Sequence, residues 1–241
     1  METMVLDGRR RADGDLEWAR WGATAGVVGA VAFLVGTGLI PPAARLEAGP
    51  VELARVLADG GGRLYFAAFM AVAGAVLRVA LFVALVQLAP PGAPASGLLR
   101  LALAACVLTQ TLVAVGGVAA LVGVNAALAG MDPALVTFGW RALWLSFVAS
   151  AVPTLLYTAA AVLGLQRAGL SPGWVSALGW ISALAHLPVL FALDERGLSA
   201  LDGLLGMIAP VTTVLWVLCL CVQLPGRVRQ RGIAAAAAPA K

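Results

Sequence analysis

Six long apolar runs dominate this 241-residue chain and decide what it can fold into. They cover residues 21–40, 64–89, 98–129, 135–165, 174–193 and 201–224. A helix needs about 20 apolar residues to cross the hydrocarbon core of a bilayer, and each run meets that length. The third and fourth exceed it, which predicts tilt or helix standing clear of the lipid. Hydrophobic residues make up 61% of the chain and charged residues 12%, against about 25% charged in a soluble domain. The fold class read from this is all-α, a polytopic integral membrane bundle of six transmembrane helices.

Proline and glycine punctuate the connections: Pro41 and Pro42, Pro90 to Pro94, Gly130 to Pro133, Ser171 to Gly173, and Asp194 to Gly197. Residues 1–20 read as a cytoplasmic segment, 21–224 as the membrane domain and 225–241 as a basic tail without stable structure. The apolar core of the first run is too long for a cleaved signal, so it reads as a retained span. Trp18, Trp21, Trp140, Trp144 and Trp174 fall near run ends, at headgroup level. In the longest loop, PVELARVLAD (residues 50–59) opens on a proline and groups Leu53, Val56 and Leu57 on one helical face. A short helix lying on the membrane surface and an irregular loop both fit it.

The net charge of +4 does not point to nucleic acid, because the basic residues gather at the chain ends rather than among aromatic residues on a polar face. With the N-terminus placed in the cytoplasm, ten Lys and Arg fall on cytoplasmic segments and four on external ones. Positive charge is retained on the cytoplasmic side, so both termini are expected there, in a multi-pass protein of the cell membrane. The expected partners are membrane lipids, with a protein partner or a second copy left open.

The polar residues inside the runs are the candidates for function. In GAVLRVALFV (residues 74–83) Arg78 stands among aliphatic neighbours. A charge there costs about 2.5–3.5 kcal/mol on insertion scales, and each large apolar neighbour returns about 0.3–0.6 kcal/mol. The span survives, but Arg78 must face protein or water. Gln110 reaches a similar depth on the next run and is the best acceptor, with Thr109 and Thr111 beside it. No acidic residue lies deep in any run. Arg78 therefore reads either as a ligand-binding cation or as glue between helices.

Arg141 is expected to snorkel to the interface beside Trp140 and Trp144, within reach of Asn125. Tyr157 and His186, the one histidine, complete the candidate ligand-binding residues. His186 reads as a core side chain bonded to a hydroxyl or carbonyl, or else as a heme ligand or proton carrier. Pro153, Pro188 and Pro210 interrupt the backbone ladders of the last three runs; they read either as prolines tolerated in membrane helices or as kinks that frame a cavity or hinge. The rows Gly22/Gly26 and Ala67/Ala71/Ala75 suit close helix contact. Cys106, Cys219 and Cys221 show no metal-ligand spacing and read as small buried side chains. No catalytic residue, metal site or cofactor is expected: the chain contains no GxxxxGK or HExxH sequence and no deep pair of carboxylates.

One stretch carries a likeness. In AAVLGLQRAGLSPGWVSALGWISA (residues 160–183) a helix ends in Leu-Gly-Leu, a short basic loop follows, and Leu170, Pro172, Trp174 and Gly179 come next. With six spans and a longer first external loop, the chain resembles the bacterial membrane family called domain of unknown function 4386. The resemblance implies a six-helix fold and brings no activity. The function expected is a non-enzymatic membrane protein with a polar pocket around Arg78 that binds a lipid, a small amphiphile or a partner. The alternatives are a small transporter or channel, and a membrane enzyme or heme protein using His186.

Overall fold

A computed structural model describes the backbone of residues 2–41, 44, 48–90, 92–191 and 204–237. Seven α-helices occur among them: α1 (Glu2–Gly38), α2 (Pro50–Asp59), α3 (Gly61–Gln87), α4 (Pro94–Leu128), α5 (Pro133–Arg167), α6 (Gly173–Ala185) and α7 (Leu204–Ala237). A 3-10 turn, Pro188–Phe191, follows α6. The expected turn at 194–197 and residues Arg45, Arg196 and Lys241 lie outside the described residues.

Six segments are long and apolar enough to cross a membrane: α1 from Asp13, α3, α4, α5, Gly173–Leu190 and Ile208–Ala234. The chain is an all-helical, multi-pass membrane protein. Its side-chain distribution fits lipid as solvent. Phe69, Val118, Phe138 and Val222 are each more than half exposed, while Arg78, Gln110, Ser182 and Thr213 are buried. Water would oppose that arrangement and hydrocarbon favours it.

Backbone chemistry sets the helix ends. Proline opens α2, α4 and α5, where its missing N–H costs nothing. Asp132 caps α5 by accepting from the Ala134 N–H at 2.8 Å. Gly130 and Gly169 adopt φ of 64° and 67° and close α4 and α5. At each the following N–H reaches back five residues, Met131 to Ala126 O and Leu170 to Leu165 O, both at 2.9 Å.

The spanning helices form a ring in chain order, each touching the next, and α7 returns to α1. Small residues let the backbones meet. A Cβ on Gly74 would stand 2.8 Å from Gly29 O of α1, and one on Gly36 would stand 2.8 Å from Ala67 O of α3. Gly139 of α5 meets Ala119 O and Gly123 of α4 in the same way. The expected close packing at Gly22 and Gly26 is present against Ala84, Leu81 and Cys221.

α1 is continuous from Glu2 to Gly38, so residues 2–20 and the first span share one helix. Two expectations are corrected. The tail beyond residue 224 is helical to Ala237. Alanine is the best helix former, Val228 is buried, and Arg231 ties the tail down by donating to Asp15 Oδ2 at 3.1 Å and Leu88 O at 3.0 Å. Of the three prolines, Pro188 falls where a helix gives way to a 3-10 turn, with Leu187 N–H bonding Leu184 O, while Pro153 and Pro210 sit inside helices, as the tolerated-proline reading expects. Trp140 is buried rather than at the lipid boundary, and its indole N–H donates to Ala44 O at 3.0 Å. The segment at residues 50–59 is a helix, with Leu53 and Leu57 packed into a cluster containing Val136 and Trp140.

The largest apolar cluster, at the end bearing both termini, includes Leu81, Phe82, Leu85, Leu99, Leu165 and Leu224 and extends inward to Cys106 and Tyr157. A second lies at the far end under α2, and a small third joins Ala151, Val189 and Ala209.

Candidate functional site

Every spanning helix from α3 to α7 contributes a buried polar group to the interior. They are Arg78 on α3, Thr109 and Gln110 on α4, Thr154 and Thr158 on α5, Ser182 and His186 on or just after α6, and Thr213 on α7. Arg78 stands nine residues before the end of α3, about 14 Å along the axis at 1.5 Å per residue. It is 8% exposed, and its guanidinium lies over the Phe33 ring of α1 at 5.2 Å. Among the described residues no carboxylate pairs with it.

Cys106 of α4, Tyr157 of α5 and His186 lie within electrostatic range of Arg78. The Tyr157 ring is held edge-on against Phe82, with centroids 5.3 Å apart. Gln110 stands one turn along α4 from Cys106. The hydrogen bond expected between Arg78 and Gln110 is not formed. Four buried side-chain polar atoms lack a partner among the described residues. Two are the indole nitrogens of Trp144 and Trp216, and the other two, Gln110 Nε2 and Tyr157 Oη, belong to the Arg78 cluster.

The neighbouring hydroxyls are satisfied. Thr109 and Thr154 hydroxyls pair at 3.3 Å between α4 and α5, and Ser182 and Thr213 pair at 2.8 Å between α6 and α7. Thr111, considered beside Gln110, bonds its own helix at Val107 O. His186 Nδ1 stands 2.8 Å from Ser182 O. A neutral ring with Nδ1 protonated donates there and keeps Nε2 as acceptor. This is the carbonyl-bonded arrangement expected of a core histidine.

Arg141 and Asn125 lie away from this cluster. Asn125 Oδ1 accepts the hydroxyl of Tyr65 on α3. Arg141 is exposed, whereas Trp140 before it points inward, as successive positions 100° apart on a helix must. The six candidates therefore divide. Arg78, Gln110, Tyr157 and His186 share one interior region, and Arg141 and Asn125 belong to the far end.

Beside the cluster is a cavity of about 300 Å³ between α1, α3, α4 and α5. Phe33 and Ala75 line it at the Arg78 level, and Ile40, Tyr65 and Trp140 line it toward the far end. An apolar cleft on the outside of α3 and α4 shares Val72, Ala75, Ala114 and Val118 with that cavity and has Gln110 and Val79 in its wall. Val72, Ala75, Ala114 and Val118 thus stand between the interior cavity and the lipid-facing cleft.

Two participants were not singled out in sequence. Cys106 lies four residues before Gln110, a spacing that puts both on one helix face, and that signal was available. Phe33 carries no signal of its own, because its role depends on how α1 packs on α3. No family model, curated protein or solved structure matches this chain.

Proposed function

We propose that this membrane protein is a non-enzymatic binder whose interior pocket around Arg78 holds a lipid or small amphiphile. One observation carries the reading. A buried cation without a carboxylate partner shares its surroundings with two unpartnered hydrogen-bonding atoms, Gln110 Nε2 and Tyr157 Oη. An uncompensated buried polar atom costs about 1–3 kcal/mol, and a charge costs more. Three such groups in one place favour a bound molecule that completes them. The adjoining cavity, a thin wall away from the lipid-facing cleft, offers an entry route from the bilayer.

A pocket accounts for these features better than a transport path does. The end bearing the termini is filled by Leu81, Phe82, Leu85, Leu99, Leu165 and Leu224, all fully buried. The likeness of residues 160–183 to domain of unknown function 4386 is kept as a proposal of kinship, and it adds nothing about the ligand.

The test is native mass spectrometry of the protein released from its own membrane. The parent is expected to carry a bound anionic amphiphile, and Arg78→Leu to lose it while keeping the same helix content by circular dichroism. Equal ligand occupancy in the two proteins would overturn the reading.

A further inference from the structure

The unpartnered groups are informative about ligand chemistry because they are donors around a single cation. Arg78 offers a fork of N–H groups, Gln110 Nε2 offers an amide N–H and Tyr157 offers its hydroxyl. A carboxylate presents two oxygens with about four lone-pair sites and accepts a guanidinium fork directly. It cancels one positive charge and leaves no remainder. A phosphate monoester would leave excess negative charge in the interior. A zwitterionic headgroup would bring a second cation, and no acidic residue lies deep in the spans to receive it.

Size narrows the choice further. Arg78, Gln110 and Tyr157 are 8%, 7% and 0% exposed, so the head must be small. The cavity of about 300 Å³ lies at the low end for ligand pockets and is walled by apolar residues such as Ala71, Val72, Leu121 and Val124. It suits one hydrocarbon chain better than two. The shared residues Val72, Ala75, Ala114 and Val118 are the thin wall between that cavity and the lipid-facing cleft, so a chain that displaces them would enter between α3 and α4 without crossing the polar surface of the membrane.

Resting on the pocket reading above, we propose that the ligand is a single-chain carboxylic acid. Its carboxylate lies among Arg78, Gln110 and Tyr157, and its chain occupies the cavity toward Tyr65 and Trp140 after entering between α3 and α4.

The experiment uses the full chain in lipid nanodiscs and three photoactivatable probes with a diazirine in the chain: a long-chain fatty acid, the alcohol of equal length, and a phosphatidylglycerol. The expected result is labelling of α3 and α4 around Val72, Ala114 and Val118 by the acid. The alcohol should compete about ten- to a hundredfold less well, the worth of hydrogen bonds to a charged group. Arg78→Leu should abolish the preference for acid over alcohol. Tyr157→Phe and Gln110→Leu, which leave the cation in place, should each reduce it several-fold, and they serve if Arg78→Leu does not fold. Ala114→Trp should block labelling by every probe. Equal labelling by acid and alcohol, or Arg78-dependent labelling by phosphatidylglycerol alone, would overturn the carboxylic acid while leaving the pocket standing. Labelling independent of Arg78 for all three probes would overturn both.

Discussion

The guanidinium of Arg78 lies over the ring of Phe33, with its central carbon 5.2 Å from the ring centroid. This contact joins α3 to α1 where Phe33 packs against the larger apolar cluster. A desolvated cation–π contact is worth about 2 kcal/mol. That is close to the cost of placing an arginine in the bilayer centre, about 2.5–3.5 kcal/mol, but a ring face does not cancel the charge. The ring holds the cation in position and does not replace an anion. Phe33→Leu keeps an apolar side chain and removes the π face, so it should lower stability by about 1–2 kcal/mol. Chemical unfolding in detergent measures this, and an unchanged midpoint would show that the ring does not stabilise the charge.

The α4–α5 contact depends on Gly139. A Cβ there would stand 2.6 Å from Ala119 O and 2.9 Å from Gly123 N, both backbone atoms that cannot step aside. Gly139→Ala should force the helices apart and cost about 1–3 kcal/mol. Gly117, on α4 with open space around its missing Cβ, is the matched control. Gly117→Ala should be neutral or raise stability by up to about 1 kcal/mol through helix propensity. Thermal unfolding of the two variants in one detergent compares them.

Ser182 and Thr213 share a hydrogen bond of 2.8 Å between α6 and α7. A double-mutant cycle with Ser182→Ala and Thr213→Val should give a coupling of about 0.6 kcal/mol, the average for such bonds in membrane helices. A coupling of zero would mean that the pair does not hold the short α6 in place.

At the end bearing the termini, Arg231 joins three helices by donating to Asp15 of α1 and to the Leu88 carbonyl that follows α3. Both charged side chains are more than a quarter exposed, so the ion pair itself should contribute under about 1 kcal/mol. The local effect should be larger than the global one. Arg231→Ala is expected to speed hydrogen exchange and trypsin cleavage after Arg227 and Arg229 while the unfolding midpoint stays nearly fixed. Unchanged exchange in the tail would show that alanine propensity alone keeps it helical.

These elements differ in how far sequence could reveal them. Six apolar runs of spanning length gave the all-helical membrane bundle directly, because lipid admits few other solutions. Arg78, Gln110 and Tyr157 were recognisable as polar residues at compatible depth, since rise per residue converts position into height. Direction around the axis was not recoverable. Asn125 stood at the right height for Arg141, yet its oxygen is taken by Tyr65. Trp140 stood at a helix end and turned inward to the Ala44 carbonyl. The tail was misjudged because polarity and missing apolar periodicity were read as disorder, whereas alanine propensity and the reach of Arg231 favour helix.

An experimental structure grown from lipidic mesophase tests the central claim most directly. The expected result is elongated ligand density with its head within about 3 Å of Arg78, Gln110 Nε2 and Tyr157 Oη, and its chain between Phe33 and Trp140. An empty interior, with the Arg78 guanidinium bonded only to protein carbonyls and water, would contradict it.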